Sequence, residues 1–223
     1  MRDLRICFVG DSYINGSGDE AGLGWIGRLC ERRFSGAYRL TFYDLGIRGQ
    51  TTDEIRDRWK DECLARFSEG ADNRIVLQFG INDVAEVRGV GRRVAEDASV
   101  ANAEAIVGEA RDLAPVLWVG LPPANVACSP MRPSEGLELD FKQETAVALN
   151  QRFMALAAKL GVPYLDIQTP LLADRRYRES LTRGDRMHCD GSGYAIMADL
   201  VDAWQAWSRW FETNTFGRGT GAS

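Results

Sequence analysis

Five short runs in which apolar residues follow one another without sustained alternation divide the chain: residues 4–9, 40–45, 74–79, 116–120 and 162–167. β-Branched and aromatic side chains are frequent in them, as in strands buried on both faces of a parallel sheet. Between the runs, apolar positions recur at helical spacing. Trp25, Ile26, Leu29, Cys30 and Phe34 form one such stripe. The next helix opens on Thr51-x-x-Glu54, a capping-box pattern, and carries Ile55, Trp59, Leu64 and Phe67. Residues 101–113, 137–160 and about 191–211 predict three more helices. Repeated β-α units imply right-handed crossovers and helices on both faces of one sheet. The stripe Ile196, Leu200, Trp204, Trp207 and Phe211 is read as core packing rather than a ligand box.

Polar positions complete the picture. Long connections at residues 84–100, 121–136 and 168–190 each follow a predicted strand, as do the short ones at 10–12 and 46–51. In an open parallel sheet these all lie at the carboxyl edge, where ligands bind. The 223 residues suit one large domain, read here as residues 1–211, followed by a Gly/Thr-rich tail over 212–223 expected to fray.

Composition narrows the function. Apolar and charged contents of 45% and 26% are those of an ordinary globular protein, and a net charge of −5 without a basic run disfavours a nucleic-acid surface. No apolar stretch approaches the roughly 20 residues that cross a bilayer, and no signal peptide of usual length opens the chain. Cys7, Cys30, Cys63, Cys128 and Cys189 are scattered and odd in number, which fits reduced thiols. The expectation is a cytoplasmic protein without stable membrane insertion.

The candidate chemistry sits at the predicted rim. The single histidine, His188, follows Asp185 by three residues, and Gly10-Asp11-Ser12 follows the first strand. A serine hydroxyl becomes a useful nucleophile when an imidazole takes its proton, and a carboxylate on the other ring nitrogen holds the required tautomer. Any serine chemistry at neutral pH must use this one imidazole. Each fragment alone has a plainer reading. A lone histidine is usually packed, and Gly-Asp-Ser is an ordinary turn. Gly46-Ile-Arg-Gly49-Gln-Thr-Thr reads equally as a glycine turn into the capped helix, and Gly80-Ile81-Asn82-Asp83 as a polar turn.

Together, the four blocks resemble the SGNH hydrolases, also called GDSL esterases/lipases, in order and spacing from Ile6 to about Ala198. The resemblance implies a flavodoxin-like three-layer α/β/α sandwich around a five-stranded parallel sheet. It implies Ser12 as nucleophile, His188 as general base and Asp185 as its orienting residue. Gly49 and Asn82, with the backbone N–H of Ser12, become the oxyanion-hole donors. It further implies a small-molecule ester, thioester or O-acetyl substrate and no metal or cofactor. The chain departs from the family pattern at Tyr13 and Cys189, where the family usually has an aliphatic residue and a proline or leucine. Tyr13 and Val84 are taken as substrate-binding residues, and residues 84–91 as a mobile wall of the acyl pocket. Asp190 competes with Asp185 for the imidazole; spacing favours Asp185.

Two other classes fit parts of the sequence. Gly16-Ser-Gly18-Asp-Glu-Ala21, with Asp44 ending the second strand, matches a dinucleotide fingerprint, but it starts seven residues beyond Val9. A non-catalytic carbohydrate- or lipid-binding module could use the same scaffold, although such a module has no need of the serine, amide and Asp-x-x-His set. No Gly-x-Ser-x-Gly elbow is present for an α/β-hydrolase. Arg88, Arg92, Arg93, Arg132, Arg175, Arg176, Arg178, Arg183 and Arg186 in the rim loops hint at an anionic substrate group. Glu86, Glu135, Asp174 and Glu179 interleave with them, so a solvated mixed surface fits as well.

Overall fold

A computed structural model describes residues 1–185 and 187–212; Arg186 and nearly all of the expected tail lie outside the described residues. The elements run β1 (Arg2–Gly10), α1 (Ser12–Asn15), α2 (Gly24–Arg33), β2 (Tyr38–Gly46), α3 (Thr52–Leu64), β3 (Asp72–Gln78), β4 (Glu86–Val87) and β5 (Gly91–Arg92). They continue with α4 (Glu96–Leu113), β6 (Val116–Val119), β7 (Met131–Ser134), β8 (Leu137–Asp140), α5 (Gln143–Leu160) and β9 (Tyr164–Leu165). Four helices close the chain: α6 (Gln168–Ala173), α7 (Arg175–Arg183), α8 (Gly191–Asp202) and α9 (Gln205–Ser208).

Every pairing in the five-stranded sheet β2-β1-β3-β6-β9 is parallel. The register explains the two-sided burial. Phe8 aligns with Val76 and Val76 with Leu117, whereas Leu77 aligns with Trp118, so Phe8 and Trp118 point to opposite faces. On one face Phe8 packs against Trp25 of α2, Phe42 of β2 and Trp207 of α9. On the other, Trp118 stacks with Phe153 of α5, Phe79 and Tyr164. Helices therefore cover both faces of a sheet whose strands are too apolar to meet water.

Local signals account for several boundaries. The expected capping box forms: the Thr51 N–H donates to the Glu54 carboxylate at 2.8 Å, and Ile55 and Trp59 turn inward. Several boundaries differ from the sequence reading; α4 starts at Glu96 rather than residue 101, and the strand expected over 162–167 shortens to Tyr164–Leu165. The helix expected over 137–160 starts only at Gln143, because Leu137–Asp140 forms β8. The helix expected over 191–211 stops at Asp202. Trp204 is extended (φ −74°, ψ 120°), and the chain restarts as α9 so that Trp207 can insert beside Phe8 and Phe42. Residues 168–183, read as loop, hold α6 and α7.

A second, antiparallel sheet, β5-β4-β8-β7, stands beside the carboxyl edge. Its strands are two to four residues long and rich in Glu, Arg, Gly and Pro. They pair across sequence-distant loops, with Glu86 opposite Asp140 and Val87 opposite Leu139. Among the described residues no helix is long and apolar enough to cross a membrane.

Candidate active site

Parallel strands bring their C-terminal ends to one rim, and the chain leaves β1 there through Asp11 into the single turn of α1. The Asp11 carboxylate accepts the Tyr13 N–H at 3.0 Å and caps this turn, fixing Ser12 as its first residue. Far away in sequence, residues 184–185 and 187–190 lie at the same rim between α7 and α8. Asp185 folds this strap by accepting the backbone N–H groups of Met187 (2.9 Å) and His188 (2.7 Å). Its second oxygen lies 2.8 Å from His188 Nδ1, and Nε2 lies 2.7 Å from Ser12 Oγ. With Nδ1–H donated to the carboxylate, Nε2 is left to accept the serine hydroxyl proton. Partial burial pushes the Asp185 carboxyl up, but the hydrogen bonds from His188 outweigh it and hold the group below the ordinary carboxylate range. Asp190 is engaged elsewhere: it caps α8 and pairs with Arg183.

Asn82 and Gly49 reach the same cleft from the ends of β3 and β2. Asn82 Nδ2 donates one hydrogen to the Gln50 carbonyl at 3.0 Å, which orients the amide and leaves its second N–H. Gly49 adopts φ +77°, and its N–H has no acceptor among the described residues. The two loops are tied together by Asp83, which accepts both the Thr52 N–H (2.8 Å) and the Thr52 hydroxyl (2.6 Å). Asn102 of α4 donates to Thr52 in turn at 3.0 Å. Burial pushes the Asp83 carboxyl up while the Thr52 donors pull it down. Asp11 is more perturbed. Desolvation raises its carboxyl to about 7, the Tyr13 N–H opposing and the nearby Asp83 charge adding to the rise. One Asp11 oxygen is buried without a hydrogen-bond partner.

The glycine pattern at 16–18 has a structural explanation. Gly18, at φ +87°, passes under the histidine strap, where a Cβ would lie 3.0 Å from His188 Cβ and 3.2 Å from the Cys189 carbonyl. The following acids clamp the same joint. Asp19 accepts the Gly24 N–H and pairs with Arg28, while Glu20 accepts the Gly191 N–H at 2.9 Å. Tyr194 adds a bond to the Ser17 carbonyl at 2.7 Å. This turn, offered by the sequence as a nucleotide fingerprint, fastens the serine end of the chain to the histidine end.

Ser12, Arg48, Gly49, Asn82, Asp185 and His188 line one cleft of about 720 Å³, whose far wall is residues 127–133 together with Met187. Tyr13 and Val84 are not on its surface. Both are buried, Tyr13 because the turn of α1 directs its ring under the imidazole (centroids 5.2 Å apart, 65° between planes). Val84 joins the core as the chain turns into β4, and residues 84–91 are held by β4–β8 pairing rather than forming the cleft wall. Cys189 is buried, and burial pushes its thiol up, so it is a small packed residue and not a reactive neighbour. Among the described residues no cluster of three or more His, Cys, Asp or Glu could hold a metal ion.

Comparison with known proteins agrees with this architecture. Residues 8–196 match the GDSL-like Lipase/Acylhydrolase family, to which the chain therefore belongs. It is an ester-bond hydrolase with the SGNH fold. A lipase/acylhydrolase from Enterococcus faecalis superposes with a TM-score of 0.69 at 23% identity, covering 90% of this chain and 93% of that one. The acetyl xylan esterase AlAXEase gives 0.64 at 21% identity, with 92% and 99% covered. A GDSL-like lipase from Bacteroides thetaiotaomicron gives 0.64 at 23% identity, with 92% and 88% covered. No match was found among curated protein sequences.

Proposed function

We propose that the chain cleaves a small carboxylic ester, an O-acetyl group among the candidates, through an acyl-enzyme on Ser12. The observation that carries the reading is the continuous relay from Ser12 Oγ through the imidazole to Asp185, two bonds of 2.7 and 2.8 Å. In the acylation step Ser12 Oγ attacks the carbonyl carbon as His188 Nε2 takes its proton. The carbonyl oxygen becomes an oxyanion that faces the N–H groups of Ser12 and Gly49 and the remaining N–H of Asn82. Collapse breaks the ester C–O bond, and the departing alkoxide takes the proton back from Nε2. Water then repeats the sequence on the acyl-enzyme, with His188 again as base. Asp185 stays ionised throughout, holding the ring and stabilising the imidazolium.

Each oxyanion donor contributes about 3–4 kcal/mol because it binds charge that develops in the transition state. As the first residue of α1, Ser12 carries an N–H outside the helix's own bonding pattern. Tyr13 supports the imidazole from below. The test is a panel of p-nitrophenyl esters from acetyl to dodecanoyl, beside acetylated sugars and acyl thioesters, run with Ser12→Ala as control. Turnover that survives in the control would overturn the reading.

A further inference from the structure

Of the rim arginines that hinted at an anionic substrate, the eight that lie among the described residues are already engaged; Arg186 lies outside them. Arg88 and Arg132 pair with Glu138, Arg92 with Glu96, Arg175 with Glu179, Arg176 with Asp174 and Arg183 with Asp190. Arg93 donates to the Gly49 carbonyl and Arg178 to the Leu172 carbonyl. The exception is a residue outside that group. Arg48 is exposed, lines the cleft next to Gly49, and has no carboxylate or hydrogen-bond partner among the described residues.

The residues on either side of it, by contrast, are tied at several points. The Ile47 N–H donates to the Gly10 carbonyl, Asn82 holds the Gln50 carbonyl, Arg93 holds the Gly49 carbonyl, and Arg58 holds the Gln50 side chain. A fixed loop thus presents a guanidinium that no group among the described residues satisfies. Of the other charged groups in the cleft lining, Arg132 is neutralised by Glu138 and Asp185 is committed to His188. The opposite wall is largely apolar, with Ala127, Pro130, Met131, Pro133 and Met187 beside Ser129 and Arg132. In a protein of net charge −5, Arg48 adds to the lining of the cleft a positive charge without a paired carboxylate among the described residues.

We propose that Arg48 is a specificity residue that binds an anionic group, a carboxylate or phosphate, on the ester substrate, while the 127–133 wall takes an apolar portion. This rests on the acyl-enzyme reading and adds the substrate class. A guanidinium suits the role because its fork of donors matches either anion in two-point contact. The anion can belong to the acyl or to the alcohol part, and two pairs of esters separate these sources. Mono-4-nitrophenyl adipate against 4-nitrophenyl hexanoate places the charge on the acyl side; 4-acetoxybenzoate against 4-acetoxybenzamide places it on the alcohol side.

The readout is the anionic-to-neutral ratio of kcat/KM, compared between wild type and variant so that intrinsic ester reactivity cancels. In one pair, Arg48→Ala should lower the ratio about tenfold, the loss of one charge-assisted contact. Arg48→Glu should lower it further and Arg48→Lys restore part of it. High salt should shrink the wild-type ratio, which a purely structural residue would not produce. A ratio that moves less than about twofold in both pairs, for both Arg48→Ala and Arg48→Glu, overturns the inference alone. Absence of turnover for all four esters in the wild type overturns the acyl-enzyme reading and this inference with it.

Discussion

Asn82 shows how a single side chain is prepared for its task. One amide hydrogen is donated to the Gln50 carbonyl, which fixes the orientation of the amide at the cleft lining; in the proposed mechanism the other stabilises the developing oxyanion. Asn82→Ala should therefore lower kcat by about 10²–10³ with little change in KM, measured by steady-state kinetics on one ester. A change confined to KM would place the amide in ground-state binding. Asp11 makes a different prediction, about stability. Its carboxyl rises from 3.8 to about 7 on folding, so between these values the folded state keeps a proton that the unfolded chain releases. The stabilisation is present in acid and is lost as the pH rises through 7. Asp11→Asn keeps an acceptor for the Tyr13 N–H and removes the titration. Urea unfolding from pH 4 to 8 should thus show less loss of stability in the variant; an unchanged slope would count against a buried neutral Asp11. Asp185 acts in the opposite sense and in another window, since its lowered carboxyl stabilises the fold above 3.8 and loses that contribution on further acidification.

At the scale of elements, the site depends on three connections that bring distant segments to one edge. The turn at 16–20 is the least forgiving, because Gly18 combines a left-handed backbone with close contact to the histidine strap. Gly18→Ala should cost about 1–3 kcal/mol in stability, read as a lower denaturation midpoint, and should lower kcat by displacing His188. Wild-type activity and midpoint together would show that the turn carries no positioning role. The cleft wall at 127–133 comes from the segment that leads into and begins β7, not from residues 84–91. Met131 lines the cleft and also packs against the core, so Met131→Ala should move the preferred acyl chain toward longer esters across the C2–C12 series, with a loss of stability of about 1–2 kcal/mol. Identical selectivity would remove this wall from substrate contact.

Across the whole molecule, what could be read from the sequence follows from how strongly each part is determined locally. The central strands were legible because burial on both faces forces continuous apolar runs, as in residues 4–9 and 74–79. The strand order β2-β1-β3-β6-β9 was not read from the sequence, because crossover handedness alone leaves more than one order open. The antiparallel sheet was not legible: Glu86–Val87 and Gly91–Arg92, which pair with each other, are too short and polar to show a period, and the pairing that joins them to the rest of the sheet is from Glu86–Val87 to Leu139 and Asp140, some fifty residues on. Ser12, Gly49, Asn82, Asp185 and His188 stood out as motifs, and the structure brings them into one cleft. The residues that hold them did not. Asp83, Thr52, Glu20 and Tyr194 act through contacts that only the folded chain creates, and Tyr13 and Val84 were misplaced because a loop position does not reveal which way a side chain turns. Arg48 escaped notice for a related reason, since its significance lies in the partners it lacks. The central claim is that Ser12 forms the covalent intermediate, and a fluorophosphonate tests it most directly. Intact-protein and peptide mass spectrometry should find one adduct, located on Ser12 and absent from Ser12→Ala, appearing in parallel with loss of esterase activity. An adduct on another residue, or full esterase activity in Ser12→Ala, would contradict the account.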